Sequence, residues 1–78
     1  MNYLFKGMQS EERFKLLLQL TKISSESVKA ALYDYLVIGI DKKSACALNG
    51  VREPNFAPAL NKLNEKAGIV EAIKEHDL

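Results

Sequence analysis

The chain has 78 residues, 47% of them hydrophobic and 27% charged, with 11 Lys and Arg against 10 Asp and Glu for a formal net charge of +1. That length holds one small domain and excludes both a barrel enzyme of roughly 250 residues and a dinucleotide-binding fold with its substrate domain, while the hydrophobic share excludes a chain disordered throughout. Near-neutrality neither requires nor forbids a nucleic-acid partner, because a basic patch fits inside a balanced total.

No repeat or low-complexity tract interrupts the chain, which reads as helices separated by punctuation. Ser10 is placed to cap a first helix over about 11–20. Glu11 and Glu12 stand in its first turn, where the helix dipole favours anions, and Phe14, Leu17, Leu18 and Thr21 mark one face. The second helix is the clearest: Ser24 or Ser25 as cap, Glu26 early, then Val28, Ala31, Leu32, Tyr35 and Leu36 at the spacing of a one-sided helix, until Gly39 stops it. Val37, Ile38 and Ile40 make 35–40 locally strand-like, yet no segment alternates with period two over a useful length, and the expected fold class is all-α.

Asp41 is expected to cap a third helix over 42–49, with Gly50 as the left-handed residue beyond its end. A fourth follows Val51-Arg52-Glu53-Pro54, with Phe56, Ala59, Leu60, Leu63 and Ala67 as its apolar stripe and Gly68 as its end. Ile69, Val70 and Ile73 predict a short terminal helix that frays at His76. The expected architecture is one domain over 1–78, a small bundle of about five helices containing a helix-turn-helix over about 41–67.

The candidate helix-turn-helix has the parts such a unit needs. Ala45 and Cys46 supply small side chains where two helices cross closely, Gly50 the turn, and Val51 and Phe56 the apolar anchors. The start of the fourth helix has two readings. If it begins at Pro54, Pro58 lies in the second turn and deletes an internal hydrogen bond; if Asn55 caps it, Pro58 lies in the first turn and costs little. The second reading is preferred, and it projects Arg52, Asn55, Asn61 and Lys62 away from the core. Lys42 and Lys43 oppose the helix dipole at the start of the third helix, which gives some weight to a phosphate or groove contact beside the plain reading of solvated helix-start residues. The candidate DNA-binding residues are therefore Lys42, Lys43, Arg52, Asn55, Asn61 and Lys62; the plain alternative for each is solvated surface. Glu53 and Glu65 repel phosphate and narrow the footprint.

No catalytic, metal or cofactor site is expected. Cys46 reads as a packing residue with no His or carboxylate to activate it, and His76 is the only histidine. A single cysteine forms no intramolecular disulfide, and neither a signal-like segment nor a run of about 18 apolar residues is present, so a cytoplasmic protein with no membrane partner is expected. Tyr3, Leu4 and Phe5 before the first helix, with Ile69, Val70 and Ile73 after the fourth, exceed a small core's needs and are expected either to pack back on the domain or to dock on a neighbouring subunit.

The residues also carry a resemblance. Asp34-Tyr35-Leu36-Val37-Ile38-Gly39, followed by Lys42-Lys43, Ala45-Cys46, Gly50-Val51, Phe56 and Ala59-Leu60, resembles the PapB-type adhesin (fimbrial) biosynthesis transcriptional regulators. Met8, Ser10-Glu11, Phe14, Leu17, Ile23-Ser24-Ser25-Glu26 and Val28 sit at the same family's spacings, so the likeness spans about 8–62. The resemblance implies a bacterial regulator that binds clustered A·T-rich double-stranded DNA through a helix-turn-helix, oligomerises along it, and governs a fimbrial operon with no cofactor or small-molecule ligand. It further implies minor-groove contact by an arginine early in the first helix of the motif. Here Lys42 stands at that position, a change expected to weaken reading of a narrow A·T groove while keeping a phosphate contact. The competing reading is a helical protein-protein interaction module without DNA binding, and the net charge of only +1 is its best support.

Overall fold

A computed structural model of the chain describes residues 3–77. Among the described residues there are four α-helices and no strand: α1 (Glu11–Gln19), α2 (Glu26–Tyr33), α3 (Lys42–Leu48) and α4 (Glu53–Asp77), with a π-helical turn, Asp34–Ile38, prolonging α2. The expected all-α class is the one observed, but the count of about five helices is corrected to four. Gly68 does not end the fourth helix. Its stripe continues into Val70 without a cap or a proline to stop it, so the expected fourth and fifth helices are one rod through His76 to Asp77. At about 1.5 Å per residue, 25 residues make roughly 37 Å of helix, which accounts for the 41 Å long axis of the molecule.

Side-chain caps start three helices where the sequence predicts them. The Ser10, Ser25 and Asp41 side chains accept hydrogen bonds from the backbone N–H groups of Arg13, Val28 and Ser44, each supplying an orphan first-turn donor. Ser25, rather than Ser24, is the cap of α2. The strand-like segment 35–40 is instead a widened helical turn. The Asp34 carbonyl accepts from both the Gly39 and the Ile40 N–H at 2.9 Å, and Gly39 closes the turn at φ 94. Val37 and Ile38 are poor helix formers, and here they lie in the wide turn in which the helix runs out.

The core runs along one side of α4. Phe56, Leu63 and Ala67 are fully buried, with Ala59 nearly so, against Ala31, Leu32 and Leu36 from α2 and its π-turn, Cys46 from α3, and Phe14 and Leu17 from α1. Phe56 meets Tyr35 edge-on at 5.8 Å between ring centres, and Phe14 meets Tyr33 similarly at 5.7 Å. Ahead of α1, residues 3–9 form a strap across the bundle. The Tyr3 and Leu4 N–H groups both donate to Asn64 Oδ1 on α4, Leu4 is buried, and the Tyr3 ring lies on Gly68. Of the two expectations for Tyr3 and Leu4, docking on another subunit is thereby corrected: the α4 surface around Asn64 takes both back onto the domain. Phe5, Ile69 and Ile73 do stay exposed.

Candidate nucleic-acid interface

Sequence chemistry alone dictates the geometry of the α3 to α4 turn. Asn49 caps the end of α3, Gly50 follows at φ 65, the Gly50 N–H points to the Ala47 carbonyl at 3.4 Å, and the Val51 N–H donates to the Cys46 carbonyl at 2.9 Å. This is the Schellman pattern, which satisfies helix-end carbonyls through one left-handed glycine. Nothing lies within 4 Å of where a Gly50 side chain would stand, so the backbone angle and not space selects glycine.

Beyond the turn, the Arg52 carbonyl accepts from the Asn55 N–H at 2.9 Å and from the Phe56 N–H at 3.1 Å, and α4 starts at Glu53. The preferred reading, in which Asn55 caps the helix, is therefore corrected. Pro54 already lies in the first turn, where the missing N–H has no intrahelical partner to lose, so the helix starts before Asn55. Pro58 consequently falls inside the helix and removes the donor that the Pro54 carbonyl would otherwise receive. Burial of Phe56 and Ala59 on either side of it holds the segment helical.

Two features lock α3 in place beneath this start. Ala45 and Cys46 are buried against the core, and the Asn49 amide bridges elements by donating to the Asp34 carboxylate at 2.9 Å and to the Ala45 carbonyl at 2.8 Å. Burial pushes the Cys46 thiol above its ordinary value, and the charge of Glu53 pushes it the same way, so the thiol stays protonated and serves as packing. The Ser44 hydroxyl, and then the Ser44 amide, hold the Asp41 carboxyl below its ordinary range; Lys6 adds a smaller pull from the strap.

All six residues singled out from the sequence are exposed. Lys42 and Lys43 occupy the first turn of α3; Arg52 immediately precedes α4 and Asn55 lies in its first turn, just beyond the Gly50 corner that follows the other end of α3. Further along α4, Lys62 follows Asn55 by seven residues, which returns it to nearly the same helical face; Asn61 is about 100° round the helix from Lys62 and leaves that stripe. None of the six side chains is ion-paired among the described residues, whereas Arg13, Lys15, Lys29 and Lys74 all are. Sequence reasoning missed two cations. Lys62 lines a groove of about 300 Å³ together with Lys22, from the loop after α1, and Lys66, one turn along α4, with Glu65 as the single carboxylate. The i, i+4 pair Lys62 and Lys66 was legible; that Lys22 joins them required the tertiary fold.

A second groove, of about 370 Å³, runs between α1 and the far half of α4. Leu16, Leu17, Leu20 and Val70 line it with Arg13, Gln19 and Lys74, and Arg13 Nη2 bridges to Glu71 Oε1 at 2.9 Å. Leu16, Leu20, Ile69 and Ile73 are each more than half exposed. Among the described residues no cluster of three or more His, Cys, Asp or Glu is placed to hold a metal ion, and no helix is long and apolar enough to cross a membrane.

Comparison with known proteins connects this geometry to a family. The family model described as adhesin biosynthesis transcription regulatory protein matches residues 1–76. The chain is 39% identical over 64 residues to the F1845 adhesin operon regulatory protein of Escherichia coli, covering 82% of this chain and 75% of the relative. It is 37% identical over 67 residues to the AFA-III adhesin operon regulatory protein of the same organism, covering 86% of this chain and 66% of that relative. Its fold is similar to the crystal structure of Escherichia coli FocB, with a TM-score of 0.87 and 32% identity, over 94% of this chain and 83% of that one.

Proposed function

The chain belongs to the adhesin biosynthesis transcription regulatory family, and on that premise we propose that it regulates an adhesin or fimbrial operon by binding double-stranded DNA through a helix-turn-helix formed by α3, the Gly50 corner and the start of α4. The observation that carries this reading is the pairing of two helix starts. Lys42 and Lys43 at the start of α3, and Arg52 and Asn55 at the start of α4, stand exposed and free of carboxylate partners among the described residues, on two helices that buried Ala45, Cys46 and Phe56 pack together. Cations without an internal partner keep their full charge for phosphate, and backbone neutralisation supplies most of the affinity of such modules. Lys42, Lys43 and Arg52 position the corner on the duplex, Asn55 and Lys42 meet the groove, and Lys62 with Asn61 extends the contact along α4.

Oligomerisation completes the reading. A footprint with Glu53 and Glu65 at its edge is weak for one protomer, and several protomers on clustered A·T-rich sites gain from effective concentration. The exposed apolar residues Leu16 and Leu20 of the α1/α4 groove, with Ile69 and Ile73 exposed on the same half of α4, are the surface assigned to a second copy of this chain. Cytoplasmic location follows from the same reading, since the operon is there.

Fluorescence anisotropy on an A·T-rich duplex carrying phased repeats, against a G·C-rich duplex of equal length at two salt concentrations, tests the proposal. Cooperative, salt-sensitive binding to the first alone is the expected result. Equal weak binding to both, or none, overturns it in favour of an interaction module that uses the apolar groove.

A further inference from the structure

The strap ahead of α1 carries a cation that neither the helix-turn-helix nor the core uses. Residues 5–8 form a tight turn, closed by the Met8 N–H donating to the Phe5 carbonyl at 3.2 Å, with Lys6 and Gly7 as its central residues and Gly7 at φ 69. That positive φ at the third position is what a type II turn demands and what glycine supplies without strain. The turn is seated, not merely adjacent. The Gly7 N–H donates to the Tyr35 carbonyl at 2.9 Å and the Gln9 N–H to the Leu36 carbonyl at 3.0 Å, both acceptors lying in the π-helical turn. The two glycine backbones then touch: a side chain added at Gly7 would lie 3.1 Å from Gly39 Cα, and one at Gly39 would lie 3.6 Å from Gly7 Cα.

Gly39 stands three residues before Lys42. The seat therefore delivers Lys6 to the end of α3 that bears Lys42 and Lys43, and Asp41 at that end feels the Lys6 charge. Lys6 is exposed and has no ion pair among the described residues. Lys6, Lys42 and Lys43 against Asp41 leave a local excess of positive charge. Asp41 is itself occupied in capping α3 through the Ser44 N–H at 3.2 Å.

We propose that the N-terminal turn is part of the DNA interface, with Lys6 contacting a backbone phosphate neighbouring the one engaged by Lys42, and with the Gly7–Gly39 contact setting its position. This rests on the DNA-binding reading of the α3/α4 corner. Its ligand is a duplex phosphate, and its role is positioning rather than base reading. Because the strap also grips Asn64 through Tyr3 and Leu4, the turn is anchored at both ends and reaches the duplex with little ordering left to do.

Anisotropy titrations of the full chain on the A·T-rich duplex over a salt series, with Lys6→Ala, Lys6→Arg, Lys42→Ala and Gly7→Ala variants, test it. Lys6→Ala is expected to weaken binding roughly 3–10-fold at low salt and to lower the slope of log affinity against log salt by about 0.9, the value of one lost phosphate contact, while Lys6→Arg keeps both. Gly7→Ala retains the charge but displaces the seat, and is expected to lose as much as Lys6→Ala; combining the two adds nothing further. Circular dichroism melts confirm that each variant is folded, and Lys6→Ala, at an exposed side chain, serves even if Gly7→Ala does not fold. If the unsubstituted chain binds and Lys42→Ala weakens it while Lys6→Ala changes neither affinity nor slope, the turn is outside the interface. If the unsubstituted chain binds no duplex, the DNA-binding reading falls and this proposal falls with it.

Discussion

The two halves of α4 are one continuous helix with opposite relations to the rest of the molecule. From Glu53 to Ala67 the helix buries Phe56, Ala59, Leu63 and Ala67 against three other elements, and its start presents Asn55, with Arg52 just ahead of it, beside the Gly50 corner. From Gly68 onward no described residue belongs to the buried core, Val70 is only partly covered, and Ile69 and Ile73 lie exposed. The difference teaches a division of labour. The first half is rigid because packing over-determines it, which suits a surface that must match a duplex; the second keeps apolar area in reserve, which suits contact with another protomer.

The largest expected effect comes from the first half. Phe56→Ala removes a fully buried ring and its edge-on contact with Tyr35, and is expected to cost about 3–5 kcal/mol in chemical denaturation, enough to unfold a domain of this size. Next is the corner that feeds this half. Gly50→Ala places a side chain at φ 65 with no steric neighbour, so the loss is the backbone term alone, about 1–2 kcal/mol, read as a lowered midpoint. In the second half, Ile69→Ser with Ile73→Ser is expected to change monomer stability by less than about 0.5 kcal/mol, since both side chains are more than half exposed, while shifting sedimentation or DNA-binding cooperativity toward the monomer. A loss comparable to Phe56→Ala would erase the distinction between the halves.

The smallest effect is at the Arg13–Glu71 bridge. The hydrogen bond from Arg13, and then the charge of Lys74, hold the Glu71 carboxyl below its ordinary range. Its contribution is therefore present at pH above the ordinary glutamate range and is lost as pH falls through the depressed folded value. Both side chains are about a third exposed, so solvent screens the pair. Melts of Glu71→Gln are expected to run slightly below those of the unsubstituted chain near neutrality and to converge with them in acid. A gap that widened in acid would contradict this sign.

The sites legible in the sequence were those governed by neighbours in the chain. Ser10, Asp41 and Gly50 act within four residues of themselves, and the stripe from Phe56 to Ala67 follows from helical period, so caps, corner and buried face were all readable. What went astray involved competition between local signals and packing. Gly68 looked like a stop, yet a single glycine costs a helix only about 1 kcal/mol, and Leu63 and Ala67 before it and Val70 after it carry the rod onward. Val37 and Ile38 looked like strand because their branched side chains prefer extended backbone, but no partner strand exists among the described residues, and the Asp34 carbonyl gathers the end of α2 into a π-turn instead.

By itself, then, the amino-acid order determined the all-α class, the starts of the first three helices, the exposed cations at the starts of α3 and α4 and the family resemblance, because each depends on spacing along the chain. Only the tertiary structure decided that Lys22 joins Lys62 and Lys66, that Asn64 and the π-turn hold the N-terminal strap, and that Lys6 stands beside the α3 cations. Those placements pair residues from about 30 to 60 positions apart, and a contact of that range has no local periodicity to announce it; it exists only once burial of Phe56, Leu36 and Leu63 has brought the elements together.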